Sequence, residues 1–520
     1  MAQSPSTLNL DMPQSEPRPN YLWLLPLLGL VLALLVADRA HTPVAVSPTV
    51  TPRQVVRPTA PPPSPVPEPT PVPNPLLARD PDAPVEPAPK AVRGGPPVHQ
   101  APDAQSPVIS GLYFDMPLPL LEEQVNADGT RWYRVRLWGV LDGWIQAENV
   151  TTERSEPVRP FWEGGGAEPP WRGVAPSQDL EATGLTNFKV NLRAGPSTEY
   201  EPLDVLPAGT PVQVHSWATD EDSHAWYSVS GGGQEGWLYS AYVDLTAADP
   251  LRPAVDGKPL ASLIAGKGMW LPYPLLEMAD PRQIVEASKR LGLTHIFLEV
   301  GETSSGFYGR EQAARLLPVA HAAGISVVGW ITTGLFDLPR DVELSVEVAN
   351  FRTADGQMFD GIAPDIEQNL RAEDVKAYAE ITRARLGDDV LMVGVVYPAG
   401  SWFGQNYPIY GALARACNAL APMAYWSDEE RAYTADEVYS FVAKSVRDMQ
   451  NVVGANYPVH VVGQMYDTFG RNGMGEYSPG RPEIDAALRA AREAGAVGLS
   501  FFQWGTATSP EWAALRDFAW

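Results

Sequence analysis

The sequence predicts a multidomain chain made of one transmembrane helix, two small all-β barrels and a C-terminal α/β barrel of eight βα units. Three observations carry this reading. An uncharged apolar run fills residues 21–37, a Trp-Tyr-x-Val pattern followed by Gly-Trp occurs twice between 91 and 248, and eight apolar, β-rich runs alternate with helical patterns from 260 to 520. At 520 residues, 44% hydrophobic and 19% charged, the chain is long enough for several separate cores. A formal charge of -24 leaves few cations to displace counterions, so no nucleic-acid partner is expected. With Cys417 as the lone cysteine there is neither an intrachain disulfide nor a thiolate zinc cage. The seven histidines show no ligand spacing, so no metal site and no cofactor is expected. Cys417 itself, within RACNALAPM, reads as a small buried hydrophobe.

Residues 1–20 read as a short cytoplasmic tail. The run Tyr21 to Ala37, YLWLLPLLGLVLALLVA, would span about 26 Å as a helix, enough to cross a bilayer core. Tyr21 and Trp23 suit one interface, and Asp38 and Arg39 end the run. A cleaved signal peptide is the alternative, although the run is long for one. Residues 38–90 form a proline-rich stalk centred on PPPSPVPEPTPVPNP, which lacks amide donors and cannot build a core. At ~3.1 Å per residue it would reach on the order of 150 Å, lifting the more C-terminal domains off a membrane; a disordered linker fits equally. The expected location is therefore the cell membrane, single-pass, with the C-terminal domains outside.

Segments 91–152 and 181–248 are the small barrels, separated by a Pro/Gly-rich linker over 153–180. WYRVRLWGVLDGWIQAENV (Trp132 to Val150) and WYSVSGGGQEGWLYSAYV (Trp226 to Val243) repeat one order of residues, and DG, GG and PAG turns separate alternating runs. Trp144 and Trp237 are expected in the barrel cores rather than as ligand platforms. With VNLRAGPS (Val190 to Ser197), the second segment resembles the bacterial Src-homology-3-like family; the first lacks that signature. The resemblance implies modules that bind cell-wall peptides or act as spacers.

From 260 to 520 the runs GKGMWLP, THIFLEVGE, ISVVGWITTG, FDGIAPDIE, VLMVGVVYP, NALAPMAYW, VHVVGQMYD and VGLSFFQW are the predicted strands, and AEDVKAYAEITRARL and IDAALRAAREAG exemplify the helices between them. Eight such units in this length predict a TIM (β/α)8 barrel; an open doubly wound sheet is the alternative, without a glycine-rich phosphate loop to support it. Functional groups of such barrels gather at strand C-termini. Alternation places Ala363, Asp365 and Glu367 on the inward face of the fourth strand, with two carboxyls ~7 Å apart along the chain. Glycoside cleavage needs an acid for the leaving oxygen and a second group for the positive centre, and burial with like-charge coupling raises an acid's pKa. Glu367, nearest the mouth, is the expected acid. Asp360 faces away and is assigned to packing, while Glu299, Glu302 and Asp467 are the other carboxylates at strand ends.

DGIAPDIE (Asp360 to Glu367) resembles the fourth-strand signature of glycoside hydrolase family 18, Asp-Gly-hydrophobic-Asp-hydrophobic-Asp-x-Glu, keeping three of its four acidic positions. The resemblance implies that Glu367 donates the proton and that Asp365 orients a substrate N-acetyl group acting as nucleophile. Ala363 stands where the family has its middle aspartate, and without that charge Asp365 is expected to ionise more readily. MAYW (Met423 to Trp426) resembles the family's Met-x-Tyr-Asp, with Tyr425 matching and Trp426 replacing the aspartate; Trp504 in SFFQW stands where the family has a tryptophan floor. The third strand lacks the Ser-x-Gly-Gly signature. Lysozyme-like family 25 also ends its fourth strand in Asp-x-Glu and stays an alternative.

Aromatic residues Trp270, Trp330, Tyr397, Trp402, Tyr425, Trp426, Tyr466 and Trp504 fall at or beyond strand ends, where flat rings stack on sugars. Glu367, Asp365 and Tyr425 are thus the expected catalytic residues, and Trp504, Trp270, Trp330, Trp426 and Tyr466 the expected substrate contacts. The partner is a polysaccharide or peptidoglycan, with the membrane engaged through residues 21–37. Two functions are compatible with this pattern: a hydrolase of N-acetylated envelope polysaccharide, or a catalytically inactive glycan-binding protein.

Overall fold

A computed structural model describes residues 90–91, 96–112, 116–152, 177–245, 250–252, 257–401, 407–427, 432–469 and 476–520. The tail, the apolar run 21–37, the stalk up to residue 89 and most of the linker lie outside the described residues, as does Trp402. Among the described residues no helix is long and apolar enough to cross a membrane.

The repeat in the sequence becomes the same hairpin twice. In the first module Arg131–Leu137 pairs antiparallel with Leu141–Gln146, and in the second Ala225–Gly231 pairs with Gln234–Tyr239. Trp132, Tyr133, Val135 and Ile145 are buried, as are their counterparts Trp226, Tyr227, Val229 and Leu238. The glycine before each second tryptophan has a steric cause. A Cβ on Gly143 would lie 2.4 Å from Val98 Cγ1, and one on Gly236 2.7 Å from Leu192 Cγ, because a crossing strand leaves no room. The sheets have five and seven strands respectively, and the second module's first strand, Gln178–Thr186, begins inside the expected linker. Trp144 and Trp237 are only half-buried, not core residues; Trp132 and Trp217 are buried within the modules instead.

The C-terminal part is a closed parallel barrel. Its strands are β1 Gly266–Leu271, β2 His295–Glu302, β3 Ser326–Thr333, β4 Gly361–Ile366, β5 Leu391–Val396, β6 Ala419–Ala424, β7 His460–Gln464 and β8 Gly498–Phe502. Each pairs in parallel with its sequence neighbours, and β1 pairs with both β2 and β8, so no edge remains. The helices are α1 Pro281–Leu291, α2 Arg310–Ala322, α3 Leu338–Ala349, α4 Ala372–Leu386, α5 Tyr407–Ala416, α6 Ala435–Val453, α7 Arg481–Glu493 and α8 Ser509–Asp517. Strand alternation divides the apolar residues into two bodies. Val328, Trp330, Ala363, Val393, Ala421, Val462 and Phe502 fill the barrel, while Val327, Ile331, Ile362, Ile366 and Phe501 pack against the helices.

Both modules are seated on the barrel. The first inserts the turn Trp138–Val140, where Trp138 (φ 50°) and Gly139 (φ 67°) are left-handed. A Cβ on Gly139 would come within 2.6 Å of Trp512 Cβ, so only glycine lets the turn approach α8. The second module sits on α4 through charges: Lys376 Nζ bonds Glu380 Oε2 at 2.9 Å, and Glu380 Oε2 accepts from the Leu245 amide at 3.2 Å.

Candidate active site

The barrel mouth is built around the end of β4. Ala363 and Asp365 point inward, and Glu367 comes just past the strand. Trp330, on the neighbouring β3, donates its indole N–H to Asp365 Oδ2 at 3.1 Å. Asp365 and Glu367 lie close enough to couple electrostatically, and Tyr397 lies beside Glu367. Two poorly hydrated carboxylates this close disfavour joint ionisation. Their interaction raises Glu367 and lowers Asp365, so Glu367 is the member favoured to keep a proton. Asp365 Oδ1 and Glu367 Oε2 are sealed from water and meet no donor among the described residues.

Desolvation is the largest influence on both acids. Burial pushes Asp365 up to about 7, the Trp330 hydrogen bond and Glu367 only partly opposing it. Burial, then the Asp365 charge, holds Glu367 well above the ordinary carboxylate range. Ala363 adds no like charge beside Asp365, and its apolar side chain is part of the buried surrounding that raises that carboxyl.

Aromatic side chains surround the pair. Phe502 stands 5.7 Å from Trp330, 6.1 Å from Tyr425 and 6.0 Å from Tyr466, and Tyr425 lies 5.4 Å from Tyr466, all between ring centroids. The Tyr425 hydroxyl is raised first by burial, then by the neighbouring Tyr466, Glu367 and Asp365. Of the expected substrate contacts, Trp330 and Tyr466 thus join Asp365, Glu367 and Tyr425 in one group.

Two others do not, and Trp270 meets the group only from within the barrel, its ring 5.1 Å from Trp330. Trp270 is sealed inside the barrel, stacked 4.3 Å from Phe297 with its N–H on Ser500 Oγ at 2.7 Å. Trp426 is fully buried on the other side of the sheet, its N–H reaching the Tyr477 hydroxyl at 3.2 Å. Trp504 is fully buried between Trp138 of the first module, at 5.7 Å, and Trp512, at 5.5 Å. The strand ends at Phe502, so its alternation does not carry Trp504 into the mouth. Phe502 takes that place; the signal for it was its parity with Ser500 on the inward face.

The spare carboxylates are occupied. Glu299 accepts from the Tyr308 hydroxyl at 2.6 Å and the Tyr273 amide at 3.1 Å, and burial raises it to about 7. Glu302 accepts from Ser304 and Ser305, and Asp467 lies close enough to raise Glu511. Asp360 binds His321 Nε2 at 3.0 Å and the Val327 amide at 2.7 Å, a packing role. Cys417 is buried, which lifts its thiol to about 12 and leaves it unreactive.

The closed parallel barrel thus brings two carboxyls and clustered aromatic rings together at its strand C-termini. The two small modules are bacterial SH3 domains, whose family model matches residues 94–151 and 189–244. No curated protein matches the chain. Among solved structures it is similar to the C-terminal domain of a putative chitinase from Desulfitobacterium hafniense (14% identity, 49% of this chain, 99% of that one, TM-score 0.36). It is also similar to a class V chitinase from Pseudomonas fluorescens (13%, 48%, 98%, 0.38) and to the spore cortex-lytic enzyme SleL of Bacillus megaterium (12%, 49%, 74%, 0.36). Nothing about activity can be drawn from neighbours this distant; the chemistry of the mouth has to supply it.

Proposed function

We propose that this protein is a surface glycosidase, anchored in the cell membrane through residues 21–37, that cleaves an N-acetylated envelope polysaccharide such as peptidoglycan or a chitin-like glycan. The observation that supports this most is the carboxyl pair Asp365 and Glu367, set among Trp330, Tyr397, Tyr425, Tyr466 and Phe502, with Glu367 raised well above the ordinary carboxylate range. A half-buried acid at the mouth whose pKa is raised is what protonation of a glycosidic oxygen needs near neutral pH. Glu367 gives its proton to the leaving oxygen as the C1–O bond breaks. The substrate's acetamido oxygen closes on C1, its N–H held by Asp365, and the positive charge is carried into the ring so formed. Water then adds to C1 and returns a proton to Glu367, leaving the enzyme unchanged. Trp330 keeps Asp365 turned toward the pair throughout.

Ala363 and the turned-away Trp426 remove two positions at which the resembling family carries carboxylates, and they favour the second reading, an inactive glycan-binding barrel. Release of reducing ends from peptidoglycan and chitin oligomers by the full chain, beside Glu367→Gln, separates the two. Turnover by the wild type alone supports the hydrolase. Equal turnover by both proteins removes Glu367 from its role, and binding without turnover in either selects the inactive protein.

A further inference from the structure

The second module carries a line of rings that no core accounts for. Tyr239 lies 5.4 Å from both His224 and Trp226, Tyr242 lies 5.7 Å from Tyr239, and Phe188 lies 6.3 Å from Tyr242. The inner members are covered, while Tyr242 is 42% and Phe188 64% exposed. Such side chains facing solvent, set in a row, are a recognition surface more often than an accident of packing.

The row begins beside the active-site loop. Asn369, two residues past Glu367, bonds Asp374 Oδ2 at 2.8 Å and the Leu335 carbonyl at 2.7 Å, and Arg371 pairs with Asp374 at 3.3 Å. Asp374 and Glu373, in the first turn of α4, are close enough that their charges add to burial in raising the Tyr239 hydroxyl, and Asp374 also senses His224. One short loop therefore joins the acid pair to the inner end of the row. The outer end is fixed as well: Lys376 Nζ holds the carbonyls of Ser240 and Val243, which flank Tyr242, and Arg415 and Lys376 both pair with Asp244. Because helix N-termini lie on the same barrel face as strand C-termini, the row starts at the level of the mouth.

We propose that Tyr239, Tyr242 and Phe188 form an outer subsite for the same polysaccharide, taking sugar units further along the chain from the bond at Glu367. This rests on the glycan reading of the mouth. The occupant's chemistry is set by the rings themselves: the exposed, flat faces of Tyr242 and Phe188 take sugar faces, and the Tyr242 hydroxyl can bond a sugar hydroxyl. Since Lys376 of α4 holds the backbone on both sides of Tyr242, polymer crossing from barrel to module meets a fixed surface and loses little affinity to reordering.

The test compares polymer with oligomer binding by the full chain in the Glu367→Gln background, where hydrolysis does not intrude. The probes are peptidoglycan sacculi, chitin particles and the soluble N-acetylglucosamine trimer. Phe188→Ala/Tyr242→Ala, both at exposed positions, should lower the ratio of polymer to trimer affinity about tenfold, and Phe188→Trp, which keeps a ring, should retain it. An unchanged ratio in the double variant, a loss in Phe188→Trp, or a parent that binds polymer no better than trimer would each overturn the subsite. Reducing-end release by the wild type is read separately. Turnover with an unchanged ratio defeats the outer subsite alone, whereas a lowered ratio without turnover defeats the hydrolase and leaves the subsite standing.

Discussion

The barrel buries a pair of titratable groups at each end, and the two pairs differ in what surrounds them. At the mouth, Asp365 and Glu367 are coupled acids, and Asp365 Oδ1 and Glu367 Oε2 meet no donor among the described residues. At the floor, His295 and His460 begin β2 and β7 with ring centroids 5.0 Å apart, both fully buried. His460 is tied to the Ile264 carbonyl at 3.1 Å and Ser500 Oγ at 2.9 Å, and His295 Nδ1 to Thr294 Oγ1 at 2.9 Å. Desolvation dominates in both places, raising the acids and lowering the imidazoles, His460 to about 3. A perturbed titration is therefore no sign of catalysis on its own. Nor is an unpartnered polar atom, since His295 Nε2 at the floor lacks a partner as well; what separates mouth from floor is a pair of acids beside aromatic rings at the strand C-termini.

The sharpest break between the two ends is expected from Glu367→Gln. Turnover should fall about 10³-fold with no loss of stability, because a buried acid is replaced by a neutral group of the same shape. Substitution at the floor should do the reverse. His460→Leu takes the side-chain partner from the Ile264 carbonyl and one of two partners from Ser500, costing about 2–4 kcal/mol in denaturant unfolding, while folded protein keeps its turnover per molecule.

The pH dependence of stability should have opposite signs at the two ends. Below pH about 6.5 the unfolded imidazoles take up protons that the folded floor refuses, so stability falls as pH drops from there toward about 3, on the order of a few kcal/mol. At the mouth the unfolded Asp365 loses its proton near 4 and the folded one near about 7, so this contribution is present at low pH and lost as pH rises between them. Asp365→Asn should shrink the second limb, to which Glu367, Glu299 and Asp341 also contribute, and leave the first intact, as read from denaturation midpoints across that range. The smallest effect is expected from Trp330→Phe. It removes the donor that opposes burial at Asp365, moving that carboxyl further up and slowing turnover about tenfold.

Much of this was legible in the sequence because it rests on period and parity. All eight strands fell on the runs read as strands, α4 spans the expected Ala372–Leu386, and alternation set Asp365 inward. The repeated Trp-Tyr-x-Val and Gly-Trp order became one hairpin used twice. What failed depends on where a strand stops and on what another domain covers. Trp504 has the parity of Phe502 but lies beyond the end of β8, and the first module's Trp138 seals it in, a contact that no local pattern reports. Trp144 and Trp237 lost the core to their neighbours because several tryptophans competed for two small interiors. The histidine pair, scattered in sequence, is assembled only by barrel closure.

Whether Glu367 holds a proton at the mouth can be measured by infrared difference spectroscopy of the full chain between wild type and Glu367→Gln at pH about 6, a comparison that cancels the other raised acids, Glu299 and Asp341. A protonated-carboxyl band should be present in the wild type, absent from the variant, and displaced when an N-acetylglucosamine oligomer is added. An ionised-carboxylate band in its place would mean that Glu367 is an ordinary surface acid and would contradict the proposed proton donor.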